Sequence, residues 1–365
     1  MNHPYRSQPD YVYWGRAVAK VAPALVDPVV SAPFSINTSD KVATAGSCFA
    51  QHIARYLRNN GFNYYIEESC HPLFGDEAAA KYNYGTFSAR YGNVYTARQL
   101  LQLFDRAFGE FDPVEKAWQL DDGSWVDPLR PQIQPGGFRT RRELDLDRAQ
   151  HLRHVKVMFQ ELDVFVFTFG LTECWVSRDD GTAYPVCPGV SGGTFDPDRY
   201  RFINFGVEEV NRDFVRFMDK LRNVNPKARV ILTVSPVPLV ATAEDRHVLV
   251  STAYSKSVLR VVAEQISRKY ADVAYFPSYE IITSSFTRGR YFANDLRSVT
   301  EEGVEHVMRL YLRHYCGRDL AAPVVAGHAD EHTQDDLVAE MQRLVEVNCD
   351  EIALDPCLAH CGSCK

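Results

Sequence analysis

The feature that most constrains the fold is a series of short apolar runs, rich in β-branched and aromatic residues, that alternate with segments of helical periodicity. Strands buried on both faces of a parallel sheet have this composition, and the helices that cover the faces supply the segments between them. The chain is therefore predicted to be an α/β protein with a five-stranded parallel sheet. The predicted strands are Lys41–Ala45, Phe62–Ile66, Asp163–Phe169, Arg229–Ser235 and Val273–Phe276.

Helical periodicity and stop signals at glycine or proline predict the helices between these strands. Residues 110–140 and 175–204 break the alternation with clusters of proline, glycine and tryptophan, so they are expected to be hairpin or loop insertions beside a substrate site. Residues 1–318 are predicted to form the α/β domain, and residues 319–365 a C-terminal helix with a cysteine-rich tail. The predicted helices of the domain are Cys48–Asn59, Tyr95–Phe108, Val207–Asn223, His247–Tyr270 and Glu301–His314.

Charge and hydropathy exclude two classes of partner. The 365 residues contain 40 Lys and Arg against 47 Asp and Glu, a net charge of −7, which argues against nucleic acid. No apolar run approaches the roughly 20 residues of a membrane span, and the polar start, Met1 to Asp10, does not have the pattern of a signal peptide. We therefore expect a cytoplasmic protein whose nine cysteines, an odd number, are reduced.

Several predicted strands end in residues that suit a catalytic site, and ligands bind outside the carboxyl ends of the strands in parallel sheets. Ser47 follows the first strand and precedes a helix, where its hydroxyl is reachable and free backbone N–H groups can stabilise an oxyanion. Its other interpretation is a simple helix cap. The third strand ends in Gly170, Thr172 and Glu173, of which the glycine permits close approach and the threonine hydroxyl can donate to an oxyanion.

The fourth and fifth strands are followed by a histidine and an aspartate. His247 comes after a polar loop that begins at Ser235, and Asp295 lies beyond the fifth strand. Each of these residues is a weak signal by itself, but their convergence on one edge of the sheet predicts a site for nucleophilic catalysis. His247 is also typical of a histidine at a helix terminus that bonds to the backbone.

The segment Gly46-Ser47-Cys48-Phe49-Ala50 spells the motif of the GSCFA family, which belongs to the broad group of SGNH or GDSL-like hydrolases, and the chain resembles that family from about residue 40 to 315. The resemblance implies a three-layer α/β/α sandwich with a flavodoxin-like strand order. It also implies that Ser47 is the nucleophile in acyl-ester chemistry, and that the Ser47 N–H, Gly85 and Thr172 form the oxyanion hole. Similar blocks are residues 82–85, 92–96, 169–173, 187–189, 235–238 and 254–257.

One departure from the SGNH pattern concerns the general base. Such enzymes usually end in Asp-x-x-His, but here Asp295 is followed by Ser298, and a serine cannot act as a base at neutral pH. His247 is the first choice for the missing base, with Asp295 orienting it, and His71 and His306 are the alternatives. Cys48 is expected to point into the sheet rather than react. Lys256 fits either a solvated helix face or an anion contact.

These residues predict a serine-dependent esterase or O-acyltransferase, acting on acyl or acetyl esters of a carbohydrate or polysaccharide. The substrate class is an analogy with SGNH enzymes. The alternative is a glycan-binding or polysaccharide-biosynthesis accessory protein with a degenerate SGNH site, and Ser298 favours it. We expect a small-molecule or glycan acyl substrate as the partner and no cofactor for catalysis.

The C-terminal tail contains four cysteines in a short stretch. Four thiolates, of which two form a Cys-x-x-Cys pair, can hold a structural Zn²⁺, and an iron–sulfur cluster needs the same ligands. Incidental free thiols are the third interpretation. A bound metal would pin the tail to the domain or to a protein partner. The candidate ligands are Cys349, Cys357, Cys361 and Cys364.

Overall fold

The computed structural model describes residues 3–320 together with Asp350 and Leu354. These residues fall into two compact units: residues 3–37 with 276–320, and residues 38–275 with Asp350 and Leu354. The predicted domain boundary at residue 319 stays a prediction. The elements in chain order are β1 Val42–Gly46, α1 Ala50–Asn59, α2 Asp76–Lys81, α3 Ala97–Phe108, β2 Trp118–Gln119, β3 Trp125–Val126, α4 Arg141–Glu161, β4 Val164–Phe169, β5 Glu173–Ser177, β6 Ala183–Tyr184, β7 Tyr200–Asn204, α5 Val207–Val224, β8 Arg229–Val234, α6 Val248–Lys269, β9 Val273–Tyr275, α7 Ser278–Thr283 and α8 Glu301–Cys316.

The larger unit is built on a parallel sheet with the strand order β1-β4-β8-β9. Ala45 pairs with Phe167, Phe167 with Leu232, and Leu232 with Tyr275, so the four strands run in register through the middle of the unit. Every residue of β1 and β4 is buried, which explains why these strands read as continuous apolar runs. The predicted α/β class with a parallel sheet is confirmed.

The predicted number of strands is wrong, because residues 62–66 do not form a strand. Tyr64 makes one parallel bridge to Val42, and the Tyr65 N–H donates to Val42 O at 2.9 Å. Directly afterwards the N–H groups of Glu67 and Glu68 donate to Ser88 O instead of continuing along β1. The sheet therefore has four strands rather than five, with an isolated bridge at its first edge.

Aromatic side chains attach helices to one face of the sheet. Phe165 and Phe167 lie two residues apart on the same face of β4, and they contact Phe217 and Phe214 of α5 at centroid distances of 5.7 and 5.8 Å. Phe159 of α4 joins them at 5.7 Å from Phe165. Each buried ring of this kind contributes about 1.5–3 kcal/mol to folding. Helix α4 was not among the predicted helices, although Thr140 starts it with a capping box.

The two predicted insertions contain small antiparallel sheets. β2 and β3 pair within residues 110–140, and β5 pairs with both β6 and β7 around residues 173–204. The two regions bury a shared apolar core that contains Trp118, Val126, Tyr184, Val186 and Tyr200. The insertions therefore support each other, which neither could do as an isolated hairpin.

The smaller unit packs α7 against α8. Thr300 caps α8 by accepting from the Gly303 N–H, and Gly303 lies where a Cβ would come within 2.9 Å of Tyr291. His306 is buried between the Tyr291 hydroxyl, at 2.8 Å, and Val26 O, at 2.9 Å. Across the part of the chain that the structure describes, no helix is both long and apolar enough to cross a membrane.

Candidate functional site

Ser47 lies at the carboxyl end of β1, in a turn that requires the preceding glycine. Gly46 has φ +135°, and a Cβ built on it would lie 2.2 Å from Thr168 O on the neighbouring strand. The Ser47 N–H donates to the same carbonyl at 3.1 Å, and Ser47 O accepts from the Ala50 N–H at 2.9 Å, where α1 begins. The backbone of β4 and the start of α1 thus hold Ser47 between them.

The Ser47 hydroxyl has no hydrogen-bond partner among the described residues. The residue is only 4% exposed, and its Oγ is buried. Leaving a buried hydroxyl unpaired costs about 1–3 kcal/mol, so native structures rarely do it without a functional reason. Ser47 is therefore not a side-chain cap of α1, and its hydroxyl, which was expected to be reachable, is buried in this structure.

Gly170 lies directly against Ser47. A Cβ at this position would come within 3.1 Å of both Ser47 Cβ and Tyr95 Cδ1. The N–H groups of Gly170 and Leu171 both donate to Tyr95 O, at 3.0 and 3.1 Å. On the other side, Lys256 Nζ donates to Gly170 O at 2.7 Å. The chain segments that contain Ser47, Tyr95 and Lys256 therefore surround Gly170 closely.

Lys256 was expected to lie on a solvated helix face or to contact an anion. It is 1% exposed, so the solvated face is wrong. Its bond to Gly170 O makes it a support for the strand end beside Ser47. The anion contact stays a prediction.

Thr172 and Glu173 hold neighbouring loops. The buried Thr172 hydroxyl donates to Asn204 Oδ1 at 2.7 Å, and the Thr172 N–H donates to Ser255 Oγ at 3.0 Å. Glu173 accepts from the Thr242 hydroxyl at 2.6 Å and from the Ala243 N–H at 3.3 Å. Burial raises the pKa of Glu173. The predicted oxyanion donor Thr172 is thus engaged with Asn204 in this structure, and Glu173 fixes the loop before α6.

His247 is exposed and caps α6, with its Nδ1 accepting from the Leu249 N–H at 3.2 Å. It makes no bond to Ser47, whose Oγ is unpartnered. His71 is exposed too, and its Nδ1 accepts from the Leu73 N–H at 3.2 Å. Neither of these two histidines therefore bonds to Ser47, and the assignments of a nucleophile and of a base stay predictions.

Asp295 and His306 belong to the smaller unit. Asp295 accepts from the Ser298 hydroxyl at 2.6 Å and from the N–H groups of Arg297 and Ser298 at 2.9 and 2.8 Å. Burial raises the pKa of Asp295, but these hydrogen bonds outweigh burial and hold the pKa below its usual value. Burial lowers the pKa of His306 to about 4. Ser298 thus bonds to the same carboxylate that would orient a histidine at that position.

Gly85 and Cys48 complete the predicted residues that the structure describes. The atoms within 4 Å of a Cβ at Gly85 belong to Arg58, near the end of α1, and to Ile66, and none belongs to Ser47. Cys48 is buried, as expected of a thiol that faces the interior. In the described part of the chain, no group of His, Cys, Asp or Glu is arranged to hold a metal. The predicted ligands Cys349, Cys357, Cys361 and Cys364 lie outside the described residues.

Tertiary contacts add residues that sequence reasoning missed. Asn93 Nδ2 donates to the buried Asp350 carboxylate at 2.9 Å, and the Asp350 N–H donates to the Tyr95 hydroxyl at 3.1 Å. His52 on α1 is 5% exposed, and burial, with a smaller contribution from Arg55, lowers its pKa to about 3. The block at residues 92–96 pointed to this region, but nothing in the sequence linked it to Asp350.

A broad groove of the larger unit lies among the insertions. It has a volume of about 690 Å³ and is bordered by residues 119–121, 131–137 and 189–193. Four side-chain amides line it, those of Asn83, Gln119, Gln132 and Gln134. Glycines at 136–137 and 192–193 expose backbone groups beside them. The groove is thus a polar surface with many neutral hydrogen-bonding groups.

Comparison with known sequences identifies the family of the chain. No curated protein matches the chain. The sequence model of the GSCFA family matches residues 41–311, a span that contains β1, Ser47, Gly170, Lys256 and Asp295. Because the match covers most of the 365 residues, the chain belongs to the GSCFA family.

Proposed function

We propose that this protein is a serine-dependent esterase or O-acyltransferase that acts on acyl esters, such as acetyl esters, of a carbohydrate. The observation that carries the proposal is the Ser47 hydroxyl, which is buried and unpartnered at the end of β1 and beside Gly170. A hydroxyl in this position can be bonded by an incoming substrate, which would satisfy a group that the protein leaves unsatisfied.

In the proposed reaction, Ser47 Oγ attacks the acyl carbonyl carbon and forms a tetrahedral intermediate. The bond to the sugar oxygen then breaks, the sugar hydroxyl leaves with the proton taken from Ser47, and the acyl group remains as an ester of Ser47. Water or a second sugar hydroxyl attacks this ester, takes the acyl group and returns a proton to Ser47. This two-step transfer needs one base that accepts and then donates the proton.

We propose His247 as that base, in a conformation that differs from this one. Its Nδ1 here accepts from the Leu249 N–H, so proton transfer requires the loop before α6 to move. Glu173 restrains this loop through Thr242 and Ala243. Because burial raises the pKa of Glu173, its protonation would weaken the restraint at a higher pH than for an exposed glutamate.

The polar groove supports a carbohydrate as the substrate class. Side-chain amides and exposed backbone groups donate and accept hydrogen bonds without net charge, which matches the hydroxyl groups of a sugar. Its volume of about 690 Å³ lies within the range of ordinary ligand sites. Ser47 and Gly170 do not line this groove, so the groove supports the substrate class and not the position of the reacting ester.

A non-hydrolytic glycan-binding or polysaccharide-biosynthesis accessory protein is the second candidate. The observation that favours it concerns the two residues proposed to move the proton. His247 caps a helix, and Asp295 bonds to Ser298. A site with an unactivated serine would bind an acylated glycan without cleaving it.

Turnover of p-nitrophenyl acetate separates the two candidates. The wild type is compared with Ser47→Ala, His247→Ala and Ser267→Ala, the last a matched control whose hydroxyl bonds to Glu264 O within α6. The esterase predicts a loss of roughly 10³-fold or more for the first two variants and none for the control. Turnover in which wild type and Ser47→Ala are equal would reject the serine esterase and favour the binding protein.

A further inference from the structure

A cluster of charges, most of them buried, lies among α3, α4 and the first insertion. Its arginines and carboxylates alternate: Asp127 accepts from Arg130 and Arg148, both at 3.1 Å, and Asp147 accepts from Arg90 at 2.9 Å and Arg130 at 2.8 Å. Glu68 and Asp145 extend the cluster by pairing with Arg90 and with Arg141 and Arg148. Four arginines thus share four carboxylates.

Arg106, on the last turn of α3, is a fifth arginine of this cluster and differs from the others. It is 8% exposed, it makes no ion pair with any described residue, and its Nη2 has no hydrogen-bond partner. Asp127 is the carboxylate that attracts Arg106 most strongly, but it already bonds to Arg130 and Arg148. Burial lowers the pKa of Arg106 to about 10, so the guanidinium is still charged at neutral pH.

An unpaired buried cation is costly, and proteins normally place an anion against it. The carboxylates near Arg106 are not available for this role. Asp112 bonds to Lys116 at 2.6 Å, and Glu115 bonds to Arg199 at 2.9 Å and to two tyrosine hydroxyls. The cluster therefore holds one more positive charge than its own residues neutralise.

Arg106 also borders a cavity that could hold the missing anion. The cavity has a volume of about 190 Å³ and lies between residues 109–116 and α4. Lys116, Arg148 and Leu152 line it, and so do the carboxylates Asp112, Glu115 and Asp127, each of which is paired with another cation. A water molecule occupies about 30 Å³ of liquid, so the space is several times larger than one water needs. It suits a small anion with its hydration.

We propose that Arg106 binds a small oxyanion, a carboxylate or a phosphate group, in this cavity. The planar guanidinium of Arg106 suits two oxygens of such a group, whereas Arg148 in the wall is already paired with Asp127 and Asp145. The site does not depend on the chemistry proposed for Ser47.

The proposal is tested on the full chain by thermal unfolding in sodium phosphate, sodium acetate and sodium chloride at equal ionic strength. The anion is added at about 20 mM, a concentration well above the Kd of a site of ordinary weak affinity. It is expected to raise the Tm of the wild type by about 2–4 °C over chloride. A rise with phosphate alone assigns the site to phosphate groups, and a rise with acetate alone assigns it to carboxylates.

Three variants make the result specific. Arg106→Met removes the charge with little change in length, Leu152→Trp fills the cavity and keeps Arg106, and Arg222→Met removes an arginine that is paired with Asp272 elsewhere. The rise should disappear in the first two and persist in the third. In chloride, Arg106→Met should be at least as stable as the wild type, because it removes a buried unpaired charge.

Two results would overturn the proposal. One is a wild-type Tm that is the same in all three salts. The other is an oxyanion-dependent rise that persists in Arg106→Met or, if that variant does not fold, in Leu152→Trp.

Discussion

Replacing Gly46 by alanine tests the geometry that places Ser47. An alanine Cβ at this position would lie 2.2 Å from Thr168 O and 2.7 Å from Thr168 N, in the backbone of a strand that is paired on both sides. Relief of that overlap requires a shift of close to 1 Å in β1 or β4, and φ +135° is itself unfavourable for an L-residue. We expect Gly46→Ala to lower the free energy of unfolding by about 4 kcal/mol or more.

Gly61→Ala is the matched control. Gly61 also has positive φ, +74°, but a Cβ there would meet no atom within 4 Å. Its substitution should therefore cost only the conformational penalty, about 1–2 kcal/mol. Urea unfolding followed by tryptophan fluorescence measures both, because three of the four tryptophans, Trp118, Trp125 and Trp175, lie in the same unit as these glycines. Equal losses within about 1 kcal/mol would refute the described turn.

Two further predictions concern buried polar groups. In the same urea assay, Lys256→Met should lower the free energy of unfolding by about 1.5–3 kcal/mol, because Gly170 O loses a charge-assisted bond. The control Lys269→Met, at the exposed end of α6, should change it by less than about 0.5 kcal/mol. His52 has a folded-state pKa of about 3, below its ordinary 6.5, so its contribution to stability is complete above pH 6.5 and is lost as the pH falls toward 3. Urea titrations at pH 7 and pH 4.5 measure the free energy of unfolding. Over this range the wild type should lose about 2–3 kcal/mol more of it than His52→Phe does. The control His71→Phe, at an exposed position, should lose as much as the wild type.

The sheet could be predicted from the sequence where burial is continuous. β1, β4, β8 and β9 begin and end within one or two residues of the predicted runs, because strands buried on both faces carry few polar residues. Residues 62–66 have a similar composition, but the bonds from Glu67 and Glu68 to Ser88 O turn this segment away from β1. That competition is between distant segments, so local composition could not reveal it.

Helix α4 was not predicted from the sequence, for a different reason. Only five of its 21 residues are buried, and its apolar positions are sparse, so its amphipathic pattern is weak. Its length comes instead from a capping box at Thr140 and from ion pairs between Arg148 and the carboxylates Asp127 and Asp145. Buried charge, rather than apolar periodicity, fixes this helix.

The places of Ser47 and Gly170 at strand ends could be predicted from the sequence better than the residues that contact them. Ser47 and Gly170 follow strands, and parallel strands bring their carboxyl ends to one edge, so local reasoning was enough to select them. Lys256 supports Gly170 across 86 residues of sequence, and Asp350 reaches Asn93 across 257. For His247, the alternative interpretation as a helix-terminal histidine describes the bond that the structure contains, and the sequence could not choose between the two.

Covalent labelling determines whether the unpartnered Ser47 hydroxyl is a nucleophile. The wild type, Ser47→Ala and Ser267→Ala are incubated with a fluorophosphonate, and the intact masses and the labelled peptide are then determined. Displacement of fluoride by Ser47 Oγ should add one adduct, on the peptide that contains Ser47, to the wild type and to Ser267→Ala, and none to Ser47→Ala. A wild type that stays unlabelled, or a label that persists in Ser47→Ala, would contradict the account.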